Sequence, residues 1–224
     1  MTRSPTLGSE RMRMRMAELS AESGVPVATV KYYLREGLLP AGERTSPNQA
    51  RYSQAHLRRL KLVKALTEVG GMSLASAKAV LSAVDDDEVT PHEVMGVVQE
   101  ELGGIPPTVS EEAADQAFAV LDEICRRNGW GELPRDHVIV ANVVAALATA
   151  GELGHDELAV RLEEYAHLAL RVAELDLETV RGLSSVDRII ETGVVVTVLG
   201  DRVFAALRHM GQALISRDVL RERP

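Results

Sequence analysis

Residues 16–39 constrain the fold more than any other part of this 224-residue sequence. Their apolar positions are spaced for two short helices with Gly24 between them. Pro26 lies where a first helical position is expected, because proline fits the first turn of a helix but not its interior. Two short helices joined by a tight turn that contains glycine form a helix-turn-helix. We therefore expect helices over residues 16–23 and 26–36.

The rest of the chain predicts helices and one small wing. Residues 40–52 are rich in proline and glycine and have no helical period, so they form a loop or a small wing. Further helices are predicted over residues 53–69, 73–84, 91–102, 110–128, 135–152, 155–181 and 185–221. The expected fold class is all-α: an N-terminal winged helix-turn-helix with a small wing, followed by an all-helical C-terminal domain.

Charge is divided unevenly along the chain. The formal net charge is −8, yet residues 1–64 carry twelve Lys or Arg and only five Asp or Glu. All the other residues together carry thirteen basic and twenty-eight acidic side chains. Such asymmetry predicts a basic module that binds a polyanion, joined to an acidic module with another role.

The second predicted helix carries side chains suited to DNA. Lysine and arginine attract phosphates, and tyrosine can donate a hydrogen bond while its ring packs on sugar. The candidate DNA contacts within two turns of this helix are Thr29, Lys31, Tyr32, Tyr33 and Arg35. For Tyr32 and Tyr33, the alternative is that the ring only packs between the helix and the wing.

These residues resemble the MerR family of regulators. The matching segments are residues 16–20, 24–26, 29–33, 37–40 and 48–52, within a likeness that spans 14–84. The resemblance implies that Lys31, Tyr32, Tyr33 and Arg35 belong to a recognition helix. It also implies that Arg51 and Tyr52 belong to a wing that grips the DNA backbone. Arg58, in the helix after the wing, is either another DNA contact or part of a solvated face.

The resemblance also implies a homodimer on an inverted repeat, acting with RNA polymerase by distorting the promoter spacer. Relatives pair through a long helix just after position 84, as an antiparallel coiled coil. Here the segment 88–102 is short and is ended by glycines and prolines at 103–107. We therefore look for the dimer contact in the last helix, where the candidates are Gly193, Val196, Gly200 and Val203. Alternatively, this strip faces the domain's own core or a small cavity.

Four domains or segments follow from these boundaries. They are a flexible basic arm (1–13), the winged helix-turn-helix (14–87), a short helix with a linker (88–109), and a helical dimerisation domain (110–224) in which an effector could also bind.

No residue pattern indicates catalysis or a bound metal. The one cysteine, Cys125, lies far from the segment where metal-sensing relatives hold their ligands, so a soft-metal sensor is not expected. Glu164 and His167 have a spacing used in di-iron bundles, but a metal site there is not expected. The other lone side chains considered for a small site are Trp130, His137, Tyr165 and His209, which more often serve packing or surface roles. We expect no enzyme activity and no cofactor.

The sequence thus predicts a DNA-binding transcriptional regulator that acts as a homodimer on double-stranded promoter DNA. The helical domain is either a sensor for an unidentified small molecule or only a dimerisation device. The alternative function is an architectural or excisionase-like DNA-binding protein without an effector. We expect a cytoplasmic, nucleoid-associated protein with no membrane partner.

Overall fold

A computed structural model describes residues 13–46, 49–132 and 134–221, with the backbone alone for 218–221. All but the last residue of the predicted basic arm, and Pro47 and Asn48 of the predicted wing, lie outside the described residues. The helices and strands are α1 (Met16–Ser23), α2 (Val27–Glu36), β1 (Glu43–Ser46), β2 (Gln49–Arg51), α3 (Gln54–Lys64) with a π-helical extension (Ala65–Val69), α4 (Leu74–Asp85), α5 (Pro91–Gly103), α6 (Glu111–Asn128), α7 (Val138–Glu152), α8 (Glu157–Val160), α9 (Leu162–Glu178) and α10 (Val186–Arg221). The predicted all-α class with a small wing is confirmed.

The chain forms two compact units. We call residues up to 98 together with those from 183 onward the head, and residues 99–182 the second unit. This division differs from the predicted one, which groups α10 with the other C-terminal helices. An apolar stripe in a sequence indicates that a helix is covered, but it does not indicate which surface covers it.

The core of the head is aliphatic and is shared by its helices. Leu19 of α1, Val30 of α2 and Leu60 of α3 are each fully buried. The turn between α1 and α2 passes through Gly24 at a φ of 68°, a conformation that favours glycine. The Ser20 hydroxyl donates to the carbonyl of Val25 at 2.6 Å and so holds the second helix against the first.

The wing is a two-stranded antiparallel sheet. β1 pairs with β2 so that Glu43 lies opposite Arg51 and Ser46 opposite Gln49, with an irregularity between Arg44 and Ser46. Met14 pairs with Tyr52 in the same antiparallel sense, through backbone hydrogen bonds of 2.8 and 2.9 Å. The residues just before α1 are therefore tied to the base of the wing.

The second unit is built on α6 and α7. Its core includes Leu121 and Cys125 from α6 and Val144 and Leu147 from α7. The helix predicted over 155–181 is instead two helices, α8 and α9, separated at Arg161, where the backbone leaves the helical region (φ −93°, ψ 0°). No proline or glycine lies at this break, so the sequence carried no signal for it.

Across the described residues, no helix combines the length and the apolar composition needed to cross a bilayer.

Candidate nucleic-acid interface

Helix α2, the predicted recognition helix, has one buried and one outward face. Val30 and the ring of Tyr33 are buried against the head. Lys31 and Arg35 are exposed, with Tyr32 half-buried beside them. Because residues three and four apart share a helix face, these three side chains form one polar surface that faces away from the core.

Tyr32 and Arg35 act together on this outward face. The Arg35 guanidinium carbon lies 5.1 Å from the centre of the Tyr32 ring, within the range of a cation–π interaction. Arg35 Nε also donates to Glu36 Oε1 at 3.3 Å. Thr29, one turn earlier, is half-buried. The outward face thus offers two cations and an aromatic ring to a polyanion.

Tyr33 has a packing role that departs from its predicted DNA contact. Its side chain is only 8% exposed, and burial, reinforced by the nearby Glu68 carboxylate, raises the pKa of its phenol. Its carbonyl accepts hydrogen bonds from the backbone N–H groups of Leu38 and Leu39. Tyr33 therefore fixes the end of α2 from within the head.

Tyr52 is likewise turned inward, where the resemblance implied a residue that grips DNA. It is 5% exposed, and burial raises the pKa of its phenol. Its ring meets His56 edge-on with the ring centres 5.4 Å apart. Tyr52 therefore anchors the wing to α3. Neighbouring residues, and not Tyr52, form the outer surface of the wing.

His56 completes this anchor. Its Nδ1 accepts a hydrogen bond from the backbone N–H of Ser53 at 3.1 Å, and its Nε2 faces the carbonyl of Ala41 at 3.4 Å. This arrangement needs a neutral imidazole with the proton on Nε2. Burial lowers the pKa of His56, although the Ala41 carbonyl opposes that shift.

The basic edge of the wing includes residues that the sequence interpretation missed. Arg51 is half-buried, and its Nη1 donates to the carbonyl of Arg13 at 3.3 Å. Arg13 forms an ion pair with Glu43 at 3.3 Å, and both Arg15 and Arg44 are exposed nearby in the chain. Arginine and methionine alternate through residues 11–16, the period of a strand, and this signal could have revealed the pairing at Met14.

The neighbouring arginines of α3 have different surroundings. Arg58, a predicted DNA contact, is exposed. The side chain of Arg59 is only 12% exposed. Its Nε donates to the carbonyl of Leu38 at 3.0 Å, and its two terminal nitrogens donate to the Asp85 carboxylate at 2.9 and 2.5 Å. Arg59 thus ties the chain after α2 to the end of α4.

The four candidate dimer residues of α10 are not equivalent. A Cβ added to Gly193 would lie 3.1 Å from Met95 Sδ, so this glycine faces α5 of its own chain. Val196 and Gly200 are half-buried, whereas Val203 is 58% exposed. The close approach predicted for Gly193 is therefore present, but it is made within the head, which was the alternative interpretation of this strip.

The paired residues considered for metal binding have other partners. Glu164 accepts a hydrogen bond from Arg161 at 2.9 Å, and His167 Nε2 lies 2.9 Å from Asn128 Oδ1. Cys125 is buried, which raises the pKa of its thiol. Among the described residues, no group of three or more His, Cys, Asp or Glu is arranged to hold a metal ion.

Comparison with known proteins connects the head to transcriptional regulators. Residues 14–84 match the family model described as MerR HTH family regulatory protein. The mercuric resistance operon regulatory protein of Bacillus cereus is 39% identical over 77 residues, which is 34% of this chain and 58% of that protein. The regulator ZntR of Escherichia coli (strain K12) is 27% identical over 113 residues, covering 50% of this chain and 79% of that protein.

One solved structure is similar over nearly the whole chain. It is SCO5550 from Streptomyces coelicolor A3(2), described as a transcriptional regulator, with a TM-score of 0.69 and 34% sequence identity. The match covers 91% of this chain and 96% of that one. The likeness thus extends through both compact units, whereas the mercuric resistance protein aligns over little more than the winged helix-turn-helix.

Proposed function

Because this chain belongs to the MerR family of transcriptional regulators, we propose that it binds double-stranded promoter DNA as a homodimer, each head on one half of an inverted repeat. The observation that carries the proposal is the outward face of α2, where Lys31, Tyr32 and Arg35 point away from the core beside a wing with exposed arginines. Phosphate contacts from such cations supply much of the affinity of DNA-binding proteins. The proposal assigns no catalytic reaction.

Lys31→Ala combined with Arg35→Ala tests the outward face of α2 directly. Fluorescence anisotropy with labelled duplexes taken from the upstream region of the protein's own gene measures the affinity. We expect the double variant to bind at least ~10-fold more weakly, since it removes two cations from one face. Arg171→Ala, an exposed arginine of the second unit, is the matched control for lost charge and is expected to bind normally. Equal affinities of the double variant and the control would contradict the proposal.

The homodimer is supported by the far half of α10. Val203, Leu207, Met210 and Leu214 are 58%, 56%, 60% and 72% exposed, and they are separated by four, three and four residues. This spacing places them in one stripe, as in the seam of a coiled coil. A stripe of this kind is more stable when a second apolar surface covers it, by about 25 cal/mol for each Å² buried. We propose that a second copy of the same stripe covers it.

An antiparallel pair fits separated half-sites better than a parallel pair. If two copies cross near Met210, the two Arg202 residues lie about 24 Å apart along the axis, given a helical rise of about 1.5 Å. A parallel pair would bring them to about 10 Å, the distance between packed helices. Half-sites one turn apart are about 34 Å apart, which requires heads at opposite ends of the pair.

Leu207→Glu with Leu214→Glu tests this surface. Both side chains are exposed in the isolated chain, so the fold should be kept while paired carboxylates oppose association. Sedimentation velocity is expected to show a monomer for the double variant and a dimer for the unaltered protein. Glu substitutions at Leu168 and Leu177, exposed leucines of α9, are the matched control. A dimer that survives the substitutions on α10 would contradict the proposed surface.

A small-molecule effector is a second part of the proposal. The second unit holds a cavity of about 410 Å³ between α6, α7 and α8, a size suited to a small organic ligand. Its walls include alanines and Leu147, and Glu112, Glu152 and Asp156 are its charged lining residues. This chemistry favours a cationic ligand with an apolar body.

Screening simple alkylamines and arylamines by thermal shift tests the effector site. Stabilisation that is lost in Glu152→Gln with Asp156→Asn would support it, and stabilisation that persists in that variant, or is absent with every amine, would contradict it. RNA polymerase, as a partner at the promoter, and a cytoplasmic, nucleoid-associated location follow from the proposed DNA target.

A further inference from the structure

Helix α10 is seated on the glycine pair that separates the π-helical extension of α3 from α4. A Cβ added to Gly70 would lie 2.3 Å from Val198 Cγ1, and one added to Gly71 would lie 2.2 Å from Arg202 Nη2. Gly71 also has a φ of 74°, which side chains other than glycine rarely adopt. At Gly70 a Cβ would collide with the buried Val198, whereas at Gly71 the backbone conformation is the stronger reason for glycine, because the Arg202 side chain could move aside.

Arg202 makes a polar contact across this junction. Its Nε and Nη2 both donate to the carbonyl oxygen of Gly70, at 3.1 and 2.6 Å. Gly70 ends the π-helical extension, and the carbonyl end of a helix carries partial negative charge that favours a cation. Two donors from one planar guanidinium define an orientation, whereas a point charge such as lysine does not.

Arg202 also marks a boundary along α10. Before it, Ile190, Val194 and Val198 are buried in the head. After it, the exposed stripe begins at Val203. Arg202 therefore lies at the boundary between the part of α10 that packs on the other helices of the head and the part that forms the proposed dimer surface.

We propose that Arg202 is a positioning residue that sets which half-site spacing the dimer accepts. The inference rests on the proposed dimer. From Arg202 to the crossing at Met210 is about 12 Å of helix, so a rotation of about 15° at the junction moves the head by about 3 Å. Two heads would then be displaced by roughly 6 Å relative to each other across the axis of the pair, which changes how they face two successive major grooves and therefore which spacer fits. Fixing the angle at Gly70 restricts the dimer to one spacing.

Arg202→Met tests the inference, because it keeps the apolar part of the side chain and removes every donor. Affinities are measured for duplexes that carry the selected inverted repeat with the spacer shortened or lengthened by one or two base pairs. The unaltered protein should prefer one spacer strongly. In the variant, the ratio between the best and the altered spacers should fall about 10-fold, with the dimer intact by sedimentation. Arg208→Met, on the exposed part of α10, is the matched control and should keep the original preference.

A second variant covers the case in which Arg202→Met does not fold. Arg202→Lys keeps the charge but loses the planar fork, and it should broaden the spacer preference to a smaller extent. An unchanged spacer profile in a folded, dimeric Arg202 variant would overturn the inference while leaving the proposed function standing. An unaltered protein that binds a single half-site as well as the full repeat would instead overturn the proposed function and the inference with it.

Discussion

Among single residues, Arg59 is expected to stabilise the head through contacts with Leu38 and Asp85, which lie far from it in the sequence. Arg59→Met keeps the stem but leaves the carbonyl of Leu38 and the carboxylate of Asp85 without this donor. Loss of a hydrogen-bonding partner by part-buried groups costs about 1–3 kcal/mol. We expect urea unfolding to show a decrease in the free energy of unfolding within that range. Lys61→Met, an exposed cation of the same helix, should change it by no more than about 0.5 kcal/mol.

We expect Arg51 to increase the affinity for DNA without changing which DNA sequence the protein prefers. Its guanidinium lies at the base of the wing, where it donates a hydrogen bond to the backbone carbonyl of Arg13. Arg51→Ala should weaken binding to all duplexes and lower the slope of log K against log salt by about 0.9, the value for one phosphate contact. Anisotropy titrations at several salt concentrations measure the slope. If the slope in the variant equals that of Arg171→Ala, Arg51 does not contact phosphate.

At the scale of elements, the wing should be sensitive to acid. The neutral form of His56 is favoured in the folded head, because burial lowers its pKa and Nδ1 accepts from Ser53. Its pKa in the unfolded chain is about 6.5, so the stabilisation is complete above that pH. It is lost as the pH falls from there towards the lower folded pKa, because the unfolded chain binds the proton more tightly.

Thermal unfolding between pH 8 and pH 5 checks this expectation. The Tm of the head should be level at high pH and should fall below about pH 6.5, where the unfolded imidazole becomes charged. His56→Gln should flatten that decline, whereas His92→Gln, an exposed histidine of α5, should leave it unchanged. Identical pH profiles for both variants would rule out His56 as the cause.

Helix α10 should stabilise the head and not the second unit. Val194 is fully buried in the head, so Val194→Ala removes packed methyl groups and leaves a cavity. We expect a loss of roughly 2 kcal/mol in the transition that reports on the head. Val160→Ala, at a residue 78% exposed in the second unit, is the matched control and should have little effect. A loss confined to the second unit would contradict the assignment of α10 to the head.

Local features of the sequence specify some of these elements, and contacts between distant residues specify the others. The helix-turn-helix was predictable because Gly24, Pro26 and the apolar spacing of 16–39 are local signals. The burial of Tyr33 and Tyr52 was not, since an aromatic ring with a hydroxyl suits either a packed core or a DNA surface. The packing of Gly193 on Met95 involves residues almost a hundred positions apart, and no local pattern specifies such a partner.

At the scale of the whole molecule, the winged helix-turn-helix and the last helix form one unit. The residues between them, 99–182, form a second unit with its own core and cavity. This arrangement separates two roles that the sequence alone joined in a single C-terminal domain. The proposed DNA-binding surface and the proposed dimer surface belong to the head, and the proposed effector cavity belongs to the second unit.

We propose that two heads of one dimer contact two halves of an inverted repeat. Selection of binding sequences from a random DNA pool, followed by hydroxyl-radical footprinting of the enriched site, tests this arrangement. We expect an enriched inverted repeat with two protected half-sites, their centres about one helical turn or a whole number of turns apart. A single unsymmetrical site, protected over one half-site by a monomer, would refute the proposed dimer on DNA.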